Sequence, residues 1–349
     1  MGFDISGFMS GMNCYILPML GTQTRKSYFP ALDSLRFFAS INIVLLHFAS
    51  SHLLTYTKID KPILSADIFF LLSGFIYSIL FNEPKRIPKL KPFMKERFWR
   101  LYPLHIFCTL IIFAITLYRT NLLDNTAYAL KSLALHISLL WAFVPKLGHH
   151  LNQPSWTLSV FFLCYALTPV FLRFLNWQGK AILWLLFLVL IFCTLYFRDL
   201  PNVFRGINFF SGMLLGKLFL SNAIPLPKKA WLNDLLLLLT IILLCIDIPG
   251  QPLLYSALLL FLANNKGLVV RILSVGWLRA VGKASFYTYL LHGVAIELLH
   301  LYLDKIAQWE YNPFDNLPAT VIIMVLLYGS CTVYRAVSPH FWRRGSKTH

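Results

Sequence analysis

The chain of 349 residues contains ten apolar stretches separated by short polar segments. A membrane-spanning helix needs about 20 predominantly apolar residues, and somewhat fewer where the bilayer is locally thin. We predict spans at Leu32–Ser50, Ala66–Phe81, Leu101–Tyr118, Trp156–Leu172, Ala181–Phe197, Ile207–Leu220, Trp231–Ile248, Pro252–Ala263, Ala284–Leu303 and Leu317–Tyr334. The pattern predicts an all-α fold, a polytopic membrane helix bundle of about ten transmembrane helices.

Tyr128–Phe143 is an eleventh apolar segment, but it contains Lys131 and His136 and is amphipathic. Counting it as a span would invert the orientation of every later helix. We therefore predict that it lies on the outer surface or enters the membrane without crossing it.

The composition excludes two classes of protein. Charged residues make up 13% of the chain, whereas soluble globular domains carry about 25%, so an ordinary soluble enzyme is excluded. The 30 Phe, 16 Tyr and 9 Trp residues exclude an intrinsically disordered chain. The six cysteines are scattered singly, so neither a disulfide framework nor a metal site is predicted.

The net charge of +17 indicates the orientation of the helices in the membrane and not binding to nucleic acid. With ten spans and an inner N-terminus, 22 of the 31 Lys and Arg residues fall in cytoplasmic segments and 8 in outer segments, and Arg36 lies within the first span. Cytoplasmic loops of membrane proteins carry such an excess. We therefore predict cytoplasmic termini, with a tail over residues 1–28, a membrane domain over 29–337 and a basic C-terminal tail over 338–349.

The first predicted span carries two ionisable residues, Arg36 and His47. Eleven residues of α-helix turn through about 1,100°, so the two side chains lie within about 20° of each other and about 16 Å apart along the axis. In the predicted orientation Arg36 is near the cytoplasmic end and His47 near the outer end. Ionisable groups inside a span are costly and mark candidate functional sites. The structural alternative is an arginine that reaches the interface and a hydrogen-bonded interfacial histidine.

Six short motifs occur in order along the chain. They are Leu32–Arg36 with His47 eleven residues after Arg36, Ala66–Phe75 (ADIFFLLSGF), Arg97–Pro103 (RFWRLYP), Pro154–Ser159 (PSWTLS), Arg205 followed by Phe210, Gly212 and Gly216, and Ser285–His292 (SFYTYLLH). The ordered set resembles the acyltransferase-3 family of membrane O-acyltransferases, whose signature places Arg and His eleven residues apart in the first span.

The resemblance implies a ten-helix bundle that transfers an acyl group, often acetyl, from a cytoplasmic thioester such as acetyl-CoA. Acceptors in the family are typically hydroxyls of sugars or other envelope molecules. The resemblance thus implies acyl-CoA as co-substrate, no bound cofactor, an envelope glycan or lipid-linked acceptor, and a place in the bacterial inner membrane. Two positions depart from the family: Phe161 and Ser338 stand where acidic residues are usual.

A general base is required because a hydroxyl must lose its proton as it attacks a thioester. Histidine titrates near neutrality, so His47 is the candidate base. Its imidazolium needs a carboxylate partner, as in other His-assisted acyl transfers. Asp67, at the outer end of the second predicted span, is the first candidate for that partner. Glu297 is the second, because it lies at a depth in the membrane similar to that of Phe161 and could replace the acid missing there.

Arginine suits the phosphates of coenzyme A because its planar donors match phosphate oxygens. Arg36, Arg97 and Arg100 are therefore the candidate donor-binding residues, although ordinary cytoplasmic charge also explains most of the basic run that ends at Arg100.

Four further residues are candidates for shaping the site on the acceptor side: Ser155, Trp156, Tyr289 and His292. His292 could orient the donor, relay a proton or bond another helix. Ser73 and Gly74 are predicted to permit close helix packing and not to supply a nucleophile.

Other functions remain open at this point. A transporter or flippase would also bury charges along a substrate path, although no inverted repeat is visible. A glycan polymerase would need a larger outer loop than residues 119–155 supply. A catalytically degenerate family member is consistent with Phe161 and Ser338.

Overall fold

The structure is a computed structural model that describes residues 28–50, 66–120, 126–144, 151–196, 205–246, 250–302, 321–323, 325–332 and 334. Its helices are α1 (Pro30–Ser50), α2 (Ala66–Leu80), α3 (Leu90–Thr120), α4 (Thr126–Ile137), α5 (Trp156–Asn176), α6 (Lys180–Tyr196), α7 (Ile207–Leu220), α8 (Ala230–Cys245), α9 (Gln251–Ala263), α10 (Leu268–Leu273) and α11 (Gly276–Leu301). Helical residues also occur at 321–323, 325–332 and 334. Every regular element in the described ranges is helical, so the predicted all-α class is confirmed.

Within those ranges, three helices are long and apolar enough to cross a membrane: Pro30–Ser50, Leu90–Arg119 and Gln153–Asn176. Shorter apolar helices include α2 and α6 to α9. Each of these helices coincides with a predicted span to within a few residues, and α7 begins and ends at the predicted residues. The number of crossings and the side of the termini stay predictions, and Ser338 and both tails beyond Tyr28 and Tyr334 lie outside the described residues.

Helix α3 begins at Leu90, eleven residues before the predicted span. Lys, Arg, Glu and Met are strong helix formers. The basic stretch before Leu101 is therefore helical, although it lies outside the apolar pattern. Its 31 residues measure about 46 Å, which exceeds the roughly 30 Å of hydrocarbon. The basic first turns therefore extend beyond the apolar layer.

The eleventh apolar segment forms α4, which has 12 residues and is less apolar than α2 or α6 to α9. It is attached to α3 by two hydrogen bonds. The Tyr102 hydroxyl donates to the carbonyl oxygen of Ile137 at 2.9 Å, and Nε2 of His105 donates to that of His136 at 2.9 Å. This is consistent with a segment that does not span, and its depth stays a prediction.

Two pairs of helices pack backbone against backbone. A Cβ atom on Gly74 of α2 would lie 1.8 Å from the carbonyl oxygen of Phe209 on α7, so only glycine allows this approach. The predicted packing role of Gly74 is confirmed. A Cβ on Gly282 of α11 would similarly lie 1.8 Å from the carbonyl oxygen of Asp33 on α1. The second contact fixes α1 beside α11, the pair that carries the candidate site.

Candidate active site

The pairing of α1 with α11 brings His47 and His292 together. Nε2 of His292 lies 3.2 Å from Nδ1 of His47, and the ring centroids are 5.0 Å apart with nearly perpendicular planes. His292 is completely buried, whereas His47 is partly exposed. Among the three roles proposed for His292 from the sequence, the structure shows the last one, a hydrogen bond to another helix.

The second nitrogen of His292 is also engaged. Nδ1 contacts the carbonyl oxygen of Tyr289, one turn earlier on α11. The hydroxyl of Tyr289 donates to the carbonyl oxygen of Pro154 at 3.1 Å. Tyr289 therefore joins α11 to the turn that precedes α5, and the ring of His292 is anchored to the backbone of Tyr289.

Neither expected carboxylate contacts His47. Asp67 accepts hydrogen bonds from Nη1 of Arg205 and Nδ2 of Asn208, each at 3.0 Å, because α2 and α7 pack so closely. Glu297 accepts from Nη1 of Arg119 on α3 at 2.8 Å. The expected pairing of His47 with either acid is not found, and its partner in the described part of the chain is His292.

The geometry of a helix explains the position of Glu297. Five residues separate it from His292, which is about 500° of rotation and places the two side chains about 140° apart. When His292 faces α1, Glu297 therefore faces a different neighbour, and that neighbour is α3.

Phe161, one of the two positions at which the resemblance led us to expect an acid, lies in an aromatic cluster. Its ring stacks on that of Phe70 with centroids 4.3 Å apart and lies 5.6 Å from the ring of Tyr165. Trp156 belongs to the same cluster, because its ring centroid lies 6.0 Å from that of Phe70. The position is thus filled by apolar packing, and Glu297, the candidate substitute, pairs with Arg119 instead.

Ser155 is part of the turn before α5. Its hydroxyl donates to the carbonyl oxygen of Asn152 at 2.7 Å and accepts from Nε1 of Trp141 at 2.9 Å. The side chain is completely buried. These contacts give Ser155 a shaping role in the turn.

At the other end of α1, Arg36 is ion-paired. Its Nη1 donates to Oδ1 of Asp33 at 2.9 Å, and Oδ2 of Asp33 accepts from the hydroxyl of Tyr28 at 2.7 Å. Burial, followed by the charge of Asp33, raises the pKa of Tyr28 to about 12, so this phenol stays protonated and donating near neutral pH. The Arg36 charge is therefore held in place by a carboxylate one turn earlier.

Arg97 lies in an aromatic pocket. Its guanidinium carbon is 5.3 Å from the ring centroid of Tyr77 and 5.2 Å from that of Phe93. Its buried Nε has no hydrogen-bond partner in the described part of the chain. Arg97 thus faces aromatic side chains of the bundle, and its Nη2 also lies 3.5 Å from Oε1 of Glu96. Arg100, three residues later on α3, is exposed.

The sequence-based site omitted Asp33, Arg205 and Asn208. Asp33 had a local signal, since an acid three residues before an arginine on a helix can pair with it. Arg205 stands in one of the six motifs, but its partner on α2 lies 138 residues away and has no local signal. In the described ranges no group of His, Cys, Asp and Glu is suited to a metal.

Comparison with known proteins gives one family and several relatives. A family model described as an acyltransferase domain matches residues 29–335. The peptidoglycan O-acetyltransferase OatA of Listeria monocytogenes is 25% identical over 354 residues, covering 88% of this chain and 56% of the relative. The acyltransferase MdmB of Streptomyces mycarofaciens is 26% identical, covering 44% of this chain and 42% of the relative.

A third relative is the O-acetyltransferase OatA of Staphylococcus aureus, which is 29% identical over 46% of this chain and 28% of its own length. The chain therefore spans about half of the Listeria protein and less of the other two. No solved structure matches the chain.

Proposed function

Since the chain belongs to the acyltransferase-3 family, with an apolar helix bundle that makes it an integral membrane protein, we propose that it is a membrane O-acetyltransferase. It transfers an acetyl group from cytoplasmic acetyl-CoA to a hydroxyl of a cell-envelope glycan. The observation that carries the proposal is the contact of His47 with His292. His47 lies on α1, and the same helix holds the ion-paired Arg36 near its opposite end.

His47 is the general base of this reaction. Its imidazole removes the proton of the acceptor hydroxyl as the oxygen attacks the thioester carbonyl, and later returns the proton to the departing thiolate of coenzyme A. The products are the O-acetyl ester and free coenzyme A. A positioned base of this kind contributes about 10² to 10⁴ in rate.

The donor binds through arginine. Coenzyme A carries several phosphate oxygens, and the planar guanidinium groups of Arg36, Arg97 and Arg100 match them. Arg97 supports this role because its buried Nε lacks a partner in the described ranges, and a buried donor left unsatisfied is costly. Arg36 supports it because, within the described ranges, Asp33 engages Nη1 and no other contact of the guanidinium is found.

The acceptor is proposed to be a glycan of the bacterial envelope, reached from the outer face of the inner membrane. The name of the Listeria relative, a peptidoglycan O-acetyltransferase, supports this chemistry. Ser155, Trp156 and Tyr289 shape the acceptor side, since all three belong to or contact the turn before α5.

The test uses purified protein in liposomes, labelled acetyl-CoA and a soluble peptidoglycan fragment as the acceptor probe. Native protein is expected to release coenzyme A and to label the fragment at a hydroxyl. His47→Ala should lose about 10² or more in turnover, whereas Arg36→Ala should chiefly raise KM for acetyl-CoA. His300→Gln, on α11 two turns beyond His292, is the matched control and should behave like native protein.

Turnover that is unchanged in both His47→Ala and Arg36→Ala would contradict the mechanism. Movement of the fragment across the membrane without acetyl-CoA would favour a transporter. A native protein that binds acetyl-CoA but transfers nothing would favour a catalytically degenerate member, for which the aromatic packing of Phe161 is the structural argument.

A further inference from the structure

We propose that His292 is a positioning residue that holds His47 as the tautomer protonated on Nδ1, which leaves Nε2 of His47 as the basic atom. The consequence for catalysis rests on the proposed function, whereas the tautomer itself does not. In this arrangement an imidazole takes the orienting place that a carboxylate has in many His-dependent acyl transfers.

The first step follows from the contact of His292 with Tyr289. A backbone carbonyl oxygen can only accept a hydrogen bond, so Nδ1 of His292 must carry a proton and donate it. In a neutral imidazole the other nitrogen is then an acceptor. Nε2 of His292 therefore presents a lone pair toward α1.

The second step follows from the contact between the two rings. Nε2 of His292 lies 3.2 Å from Nδ1 of His47, so the acceptor on His292 requires a proton on Nδ1 of His47. The remaining lone pair of a neutral His47 is then on Nε2. His292 is the hydrogen-bond partner of the His47 ring in the described part of the chain, so this contact alone sets the tautomer there.

The burial of the two residues agrees with this division of roles. His292 is completely buried and is fixed at both nitrogens, which is expected for a group that orients another. His47 is partly exposed, and among the described residues one of its nitrogens is engaged, so its second nitrogen is the one able to meet a substrate. The register of α1 on α11 is in turn fixed by the close contact of Gly282 with the backbone of Asp33.

The direct test is nitrogen NMR of full-length protein in lipid nanodiscs with ¹⁵N-labelled histidine, without acetyl-CoA or acceptor. The His47 signals are identified by their loss in His47→Gln. In native protein Nδ1 of His47 should be protonated and Nε2 unprotonated. In His292→Leu, which removes the acceptor, His47 should shift toward the Nε2–H form. A native His47 protonated on Nε2, or no change in His292→Leu, would overturn the proposal.

A conservative variant separates orientation from packing. The side-chain amide of glutamine can place an acceptor oxygen near the position of Nε2, so His292→Gln should keep the native His47 tautomer. Acetyl transfer should then fall by about 10²-fold in His292→Leu and by much less in His292→Gln, with KM for acetyl-CoA unchanged in both. Equal losses of transfer in the two variants, with both folded, would contradict the positioning role.

Failure of the proposed function is distinguishable from failure of this inference. If native protein transfers no acetyl group but the NMR tautomers are as expected, the tautomer assignment stands and the function is wrong. If transfer depends on His47 but its tautomer does not depend on His292, the function stands and the positioning role is wrong.

Discussion

The carboxylate of Asp67 accepts a hydrogen bond of 3.0 Å from the guanidinium of Arg205, joining the start of α2 to the residue two positions before α7. Asn208 donates to the second carboxylate oxygen at the same distance. The acid that was expected to assist His47 therefore belongs to a cluster that links α2 with α7.

The first prediction concerns the energy of this ion pair. Asp67→Ala and Arg205→Ala should each lower the melting temperature in detergent, because each leaves a partly buried charge without its partner. The double variant should be little worse than the more damaging single one, with a coupling energy of about 1 kcal/mol. Thermal unfolding followed by tryptophan fluorescence measures this, and strictly additive losses would show that the pair is not coupled.

The second prediction concerns the contact between α2 and α7. A Cβ on Gly212 would lie 1.9 Å from the carbonyl oxygen of Leu71, so Gly212→Ala must separate the two helices. Overpacking of this kind costs about 1–3 kcal/mol or more. The control is Gly179→Ala, because a Cβ there has no described neighbour within 4 Å. Folded yield and melting temperature should fall for Gly212→Ala alone, and equal behaviour of the two variants would refute the close contact.

The third prediction concerns donor binding by Arg97. Arg97→Lys keeps the charge but loses the planar donor fork and the contact with the rings of Tyr77 and Phe93. Hydrogen bonds to charged groups are worth about 1.5–3 kcal/mol, so KM for acetyl-CoA should rise roughly tenfold or more with little change in kcat. Exposed Lys95, two residues earlier, is the control, and Lys95→Ala should leave KM unchanged.

An unchanged KM in Arg97→Lys, measured alongside a native-like Lys95→Ala, would assign Arg97 a structural role in the aromatic pocket and remove it from the donor site.

The fourth prediction concerns pH. The pKa of Tyr28 is raised to about 12 in the folded protein, above its ordinary value of 10, chiefly by burial and then by the charge of Asp33. As pH rises from about 10 to about 12, the unfolded state loses the Tyr28 proton before the folded state does, so stability is lost over that window. Tyr28→Phe should lack this part of the loss.

Unfolding of native protein, Tyr28→Phe and the control Tyr118→Phe should be compared at pH 8 and across the alkaline window. Tyr118 is 66% exposed, and its replacement controls for the loss of one phenol elsewhere in the chain. A Tyr28→Phe profile that parallels the native one throughout would contradict the half-buried contact between Tyr28 and Asp33.

Much of the fold was predictable because it depends on local sequence. The apolar length of Ile207–Leu220 identified α7 at both ends, and Gly74 was correctly predicted to permit close packing. The family assignment from six ordered motifs is confirmed by the match over residues 29–335. The early start of α3 was missed because an apolar pattern reports on the membrane layer and not on the helix propensity of the basic residues that precede it.

The contacts within the candidate site were less predictable, because periodicity shows which residues share a helix face but not which helix lies opposite. His47 and His292 were both candidates, yet 245 residues separate them and nothing local indicates that they meet. Glu297 was proposed from its depth along α11, which ignored its rotation of about 140° from His292. Depth along a helix axis is therefore insufficient to pair two side chains.

The central claim is that His47 catalyses the transfer of an acetyl group from acetyl-CoA on the cytoplasmic face of the membrane to a glycan on the outer face. The most direct measurement uses sealed proteoliposomes of known orientation, with labelled acetyl-CoA on the cytoplasmic face and a soluble glycan fragment on the other. Native protein should label the fragment, and His47→Gln, folded to the same melting temperature, should reduce labelling by at least about 10²-fold. Equal labelling by the two proteins would contradict the account.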